Sequence, residues 1–122
     1  MADNKQYITQ AQESGSVMIS EDVIATIVAQ AIHDVEGVSG ICGKSGMDIA
    51  EIIGMKNSSK GLKITIAAPD ALDIDCSISV YYGQSIVAIA KSVQDAVKNA
   101  VESMTGVSVT SVDVNIVGVT HQ

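Results

Sequence analysis

The chain has 122 residues, which accommodates one domain, and its apolar share of 47% with a mean hydropathy of +0.32 excludes a disordered chain. Fourteen acidic residues against seven basic ones give a net charge of −7, and every base is a lysine. Arg is the residue best suited to bidentate grip on phosphate, so its absence disfavours nucleic-acid, phosphometabolite and anionic-membrane binding.

Residues 1–14 are polar and without period, and read as a flexible tail ahead of a single domain over 15–120. Val17-Met18-Ile19 predicts a brief strand. Ser20 then stands as a helix N-cap, with Glu21 and Asp22 in the first turn where the helix dipole favours acids. Val23, Ile24, Ile27, Val28, Ala31, Ile32 and Val35 follow at helical spacing, and Gly37 is the expected stop. From Gly37 to Gly61 the chain is glycine-rich and irregular, with room for about two helical turns over Met47–Ile53.

Two alternating strands follow. Leu62, Ile64, Ile66 and Ala68 alternate with Lys63, Thr65 and Ala67, Pro69-Asp70 makes a turn, and Leu72, Ile74, Cys76, Ile78 and Val80 alternate with Asp73, Asp75, Ser77, Ser79 and Tyr81. Period two with one polar face predicts an antiparallel hairpin covered on one side only. Gly83 breaks the strand and Ser85 caps a second long helix, whose apolar stripe is Ile86, Ile89, Ala90, Val93, Val97, Val101 and Met104, ending at Gly106. The last strand carries Val107, Val109, Val112, Val114 and Ile116, and its phase slips near Thr110-Ser111, which predicts a bulge. The expected fold is α+β: a two-layer sandwich with two long helices on one face of a small mixed sheet of three to four strands. Its element order is (β)α, a short α, ββ, αβ.

Three Tyr (Tyr7, Tyr81, Tyr82) with no Phe or Trp leave Ile, Val, Ala and Met to build the core. No apolar run reaches the roughly 20 residues of a membrane helix, and MADNKQYITQAQESGS has no apolar signal region, so a cytoplasmic protein is expected. Cys42 and Cys76 read as free thiols, Cys76 in phase with the buried Ile74 and Ile78.

Motifs with catalytic meaning are weak. Gly43-Lys44-Ser45 resembles a phosphate-binding loop, but the motif needs a glycine five residues before Gly43, where Val38 stands, and a strand before it. Gly43-Lys44-Ser45-Gly46 also resembles the G-x-x-G loop of RNA-binding KH domains, and residues 44–63 carry a local charge of +2, leaving −9 on the remainder. Nucleic-acid affinity rests mainly on backbone neutralisation, for which this chain is poorly equipped, so a plain glycine-rich connector is favoured. His33 falls between the polar Gln30 and Asp34, His121 lies near the end, and neither has metal-ligand spacing to a second His or Cys. Asp73 and Asp75 read as a solvated pair. The expectation is no catalytic residue, no metal and no cofactor.

As a whole the pattern resembles the alkaline-shock-protein family of Gram-positive bacteria. The residues that carry the resemblance run from Gly15 to Ser20, Val23-Ile24-Ala25, Val35-Glu36-Gly37-Val38 and Ser59-Lys60-Gly61-Leu62-Lys63. They continue through Val80-Tyr81-Tyr82-Gly83, Ile86 with Ala90, Val93-Gln94 and Val97, and Met104-Thr105-Gly106, to Val112-Asp113-Val114 and Val117-Gly118-Val119. The resemblance implies a cytoplasmic, non-enzymatic protein of the envelope stress response that self-associates and is held at the inner face of the membrane by a membrane-anchored partner. The main alternative that it implies, from other members, is regulation of fatty-acid or lipid-precursor metabolism through a protein partner. The expected interaction surface is the polar sheet face with Lys63, Asp73, Asp75 and Tyr81, met head to tail by a basic segment with Lys44, Lys56 and Lys60.

Overall fold

The computed structural model describes residues 7–41, 61–68 and 71–121. The chain runs β1 (Tyr7–Gln12), β2 (Gly15–Ser20), α1 (Glu21–His33), β3 (Val38–Ile41), β4 (Leu62–Ala68), β5 (Ala71–Tyr81), α2 (Ile86–Thr105) and β6 (Ser108–Thr120). This is an α+β protein with two helices and two sheets among the described residues. The short helix expected over Met47–Ile53, the Gly43–Gly46 loop, Cys42 and the Pro69-Asp70 turn lie outside those residues.

Both helices start as their sequences dictate. The Ser20 hydroxyl accepts the Val23 N–H at 3.3 Å and the Ser85 hydroxyl accepts that of Ala88 at 3.3 Å, each satisfying an otherwise orphaned donor. Helix α2 buries Ile89, Val93, Val97 and Val101, a row of fourth residues on one face, and ends on Gly106 in the left-handed region. Helix α1 stops at His33 with Asp34 as its C-cap, three residues before the turn that contains Gly37. Gly37 thus punctuates the turn into β3 rather than the helix itself. Val35, in phase with the helical stripe, is half-buried beyond its end.

Strand β5 organises the larger sheet. Along its full length it pairs in parallel with β6, from Ala71↔Ser108 to Tyr81↔Thr120, with α2 as the crossover that a parallel pair needs. Two antiparallel strands therefore share its other edge, β4 from Leu62↔Cys76 to Ala68↔Ala71 and β3 from Val38↔Val80 to Ile41↔Ile78. The β4–β5 hairpin and the irregularity at Thr110, skipped between Leu72↔Val109 and Asp73↔Ser111, agree with the alternation and the phase slip of the sequence.

One apolar cluster joins α1, α2 and the alternate β5 positions Leu72, Ile74, Cys76, Ile78 and Val80, and it contains no aromatic ring. Burying each Ile, Leu or Val side chain contributes about 1.5–3 kcal/mol, so the absence of Phe and Trp is offset by the number of branched residues.

Two segments differ from expectation. Residues 7–12, assigned by their polarity to a tail, form β1, which pairs with β2 from Tyr7↔Ser20 to Gln12↔Gly15. Its ladder is backbone-made and only Ile8 enters the core, so a stretch as polar as YITQAQ carries no apolar alternation to read. Residues 38–41, inside the stretch expected to be irregular, form β3; the strand is four residues long, contains Gly40, and takes its partner from about forty residues downstream. Neither pairing leaves a local signal.

Candidate functional site: the outer face of the sheet

The register of β5 on β6 sets a row of polar pairs on the face opposite the core: Asp73↔Ser111, Asp75↔Asp113, Ser77↔Asn115, Ser79↔Gly118 and Tyr81↔Thr120. On β4, Lys63 stands opposite Asp75 and Thr65 opposite Asp73. Lys63, Thr65, Ser111, Asp113 and Asn115 are exposed, and the β5 members are half-buried by their neighbours on either side.

The face is tied down by its own hydrogen bonds. Asn115 Nδ2 donates to Asp75 Oδ1 at 2.8 Å, and Ser111 Oγ donates to Asp73 Oδ1 at 3.1 Å. Thr110, the extra residue of the bulge, turns its hydroxyl to the same Asp73 carboxylate and to the Leu72 carbonyl. Asp75 and Asp113 sit directly across from one another, an arrangement of like charge that costs stability unless neighbours compensate. Asn115 supplies part of that compensation. Both carboxylates also act on Cys76: burial first, then Asp75 and Asp113, push its thiol up to about 12. A fully buried thiol held neutral is a packing group rather than a nucleophile.

Of the residues expected at an interaction surface, Lys63, Asp73, Asp75 and Tyr81 share this face, while Lys44, Lys56 and Lys60 lie outside the described residues. Lys63 and Asp75 are cross-strand neighbours. Tyr81 lies six residues further along β5, about 20 Å away at the strand rise, so the charged row and the aromatic residue are separate features.

At the Tyr81 end stands a feature that the sequence does not advertise. Ser39 Oγ lies 2.6 Å from Ser79 Oγ and 2.9 Å from Thr120 Oγ1, linking β3, β5 and β6 through three hydroxyls. Ser39 and Thr120 are 81 residues apart, so only the two β5 pairings bring them together.

His33 is exposed on α1, and His121 stacks on Tyr82 with ring centroids 4.9 Å apart. Among the described residues no three His, Cys, Asp or Glu side chains gather as a metal-binding group, and no helix is long and apolar enough to cross a membrane. The chemistry of the outer face is that of hydrogen-bonded carboxylates, hydroxyls and one ammonium group, which suits recognition of another polar surface.

The fold, a mixed sheet with a helical crossover and one polar face, is shared with solved structures. Two variants of the MamM CTD superpose with a TM-score of 0.50 at 16% identity, over 80% of this chain and 94% and 98% of theirs. At that identity the likeness is one of fold alone. The family is given by sequence: residues 9–121 match the model of the alkaline shock protein 23 family, described by its cell envelope-related function, and the chain belongs to that family. The uncharacterized protein YqhY of Bacillus subtilis is 33% identical over 105 residues, covering 86% of this chain and 77% of its own. The uncharacterized protein YloU of the same organism is 33% identical over 107 residues, covering 86% and 88%.

Proposed function

We propose that the protein is a non-enzymatic component of cell-envelope homeostasis and stress response, working in the cytoplasm through self-association and through a membrane-anchored protein partner. Family membership supports the envelope role. The observation that carries the interaction reading is the outer sheet face, where β5 and β6 present eleven registered pairs, alternately directed away from the core. Asp73, Asp75 and Asp113 make its charged stretch acidic, with Lys63 at the margin, and Tyr81 is the aromatic anchor of a kind enriched at interfaces. An acidic row favours a basic counterpart. The chain's own Lys44, Lys56 and Lys60 are one such counterpart, and a basic surface on the membrane-anchored partner is the other.

The test compares wild type with Tyr81→Ala, Asp75→Lys and Lys56→Glu by light scattering at low and high salt. Charge-dependent assembly is weakened by salt and by either charge reversal. Unchanged mass in all three folded variants removes the outer face from self-association.

A further inference from the structure

Among the described residues, two exposed apolar patches lie at opposite ends of the larger sheet. One is the hairpin β1–β2. Ile8, opposite Ile19, faces the core, so Tyr7, Thr9 and Met18 share the other face, with Thr9 directly across from Met18. Met18 is 61% exposed, Tyr7 is also exposed, and Val23 in the first turn of α1 adds a third exposed apolar side chain. The second patch is a groove of about 460 Å³ lined by Val80, Tyr81, Tyr82, Gln84, Ile86 and Val119, in which Tyr82, Ile86 and Val119 are exposed. A large apolar group exposed alone is ordinary, whereas contiguous ones around a concavity mark a docking site.

Their placement follows from the registers. The groove lies where β5 and β6 finish, at Tyr81↔Thr120. The hairpin lies at the other end: a Cβ built on Gly106, just before β6, would sit 3.7 Å from Gln10 Nε2 of β1. Ten residues of β5 separate the two ends, about 33 Å at the strand rise. Neither patch can therefore cover the other within one copy.

We propose that the hairpin of one copy docks through Tyr7 and Met18 into the Tyr82–Ile86–Val119 groove of a second copy, head to tail. This rests on the reading that the protein self-associates, and it names a contact centred on Tyr82, Ile86 and Val119 rather than on the charged row of the outer face, with Tyr81 bordering both. Charge favours the pairing. Among the described residues the groove lining has no acid, in a chain of net charge −7. The hairpin's one acid, Glu13, sits in its turn beyond the Gln12↔Gly15 pair, and α2, which opens at the groove, has no acid in its first turn, so no like charges meet across the contact.

The edge of β6 agrees. Among the described strands β6 pairs only with β5. Helix α2 caps the first half of β6, with Glu102 Oε2 accepting the Val109 N–H and Gln94 Nε2 donating to the Val112 carbonyl, each at 3.0 Å. No described side chain caps the stretch beside the groove, where Val117 and Val119 are exposed. A head-to-tail contact does not close on itself as a two-fold pair, so it yields chains or rings. One hairpin in one groove is small beside a standard interface of about 1,600 Å², so assembly depends on concentration.

A mixing experiment tests the proposal. Met18→Lys disables the hairpin and keeps the groove, whereas Val119→Lys disables the groove and keeps the hairpin; Ile86→Lys is a second groove variant. Circular dichroism and thermal melts check that each is folded. By light scattering at high salt, which screens the charged outer-face contact, wild type should gain mass with concentration and each variant should be monomeric. An equimolar mixture of Met18→Lys with either groove variant should form dimers and nothing larger, because one live hairpin meets one live groove. Folded variants that keep the wild-type mass overturn the docking while self-association stands, as does a mixture that stays monomeric. A wild type that is monomeric at every concentration at high salt overturns the docking, and one that is monomeric at low salt as well overturns both.

Discussion

Substituting Gly37 by Ala tests how α1 is fastened to the sheet. Gly37 sits at φ +98°, and its carbonyl accepts the Tyr81 N–H at 2.9 Å, which ties the turn to the end of β5. A Cβ there would lie 2.7 Å from Ile89 Cδ1 and 2.9 Å from Ile89 Cγ1, inside the core contact of α2. The left-handed backbone costs an L-residue about 1–2 kcal/mol. Displacing a packed core side chain adds about 1–3 kcal/mol, so the expected total is about 3 kcal/mol. For a domain of this size that lowers Tm by roughly 12 °C. Gly83 is the matched control, with φ +96° and nothing within 4 Å of an added Cβ. Gly83→Ala should therefore show the backbone cost alone. Urea unfolding of the three proteins reads both changes as shifts in midpoint at constant m. If Gly37→Ala costs no more than Gly83→Ala, the turn is not packed against Ile89 as closely as the structure places it.

Three other outcomes follow from buried or paired groups. Gln10 Nε2 is buried with no hydrogen-bond partner among the described residues, so Gln10→Leu should raise stability by about 1 kcal/mol in the same urea assay; a loss of that size would mean that the amide is satisfied. Asn115→Ala removes the donor to Asp75 beside Asp113 and should cost about 1–2 kcal/mol in the same urea assay; no loss would mean that the bond does not hold the face. The Cys76 thiol, pushed up to about 12 from its ordinary 9.0 by burial, then Asp75 and Asp113, should react with a thiol reagent only on unfolding. Its raised value stabilises the fold below pH 9.0. Above that the unfolded thiol ionises first, so the contribution is lost as pH rises towards about 12, and wild type should lose stability relative to Cys76→Ala across that window.

The readings that agree with the structure rest on signals within a few residues of one another. Ser20 and Ser85 cap the following turn, Gly106 ends α2, and the polar alternation from Lys63 to Tyr81 marks the outer face in advance. The slip at Thr110 is legible for the same reason, since a bulge shifts the alternation of its own strand. What escapes is contact made by distant segments. Tyr7–Gln12 is held by backbone pairing to β2 and one buried side chain, Ile8; Val38–Ile41 is a strand because β5 lies beside it. The groove and the hydroxyl cluster at Ser39, Ser79 and Thr120 combine residues from several elements, so no spacing in the sequence announces them. Gly37 shows a subtler limit: a glycine after a helical stripe marks a nearby turn without saying on which residue the helix stops.

The proposed function depends above all on engagement of a membrane-anchored protein by the outer face. The direct measurement is recovery of tagged wild type and tagged Asp75→Lys from native cells, with membrane and soluble fractions kept apart and partners identified by mass spectrometry. One membrane-anchored protein should co-purify with wild type from the membrane fraction and be lost with folded Asp75→Lys. Equal recovery with both proteins, or no membrane protein with either, would contradict it.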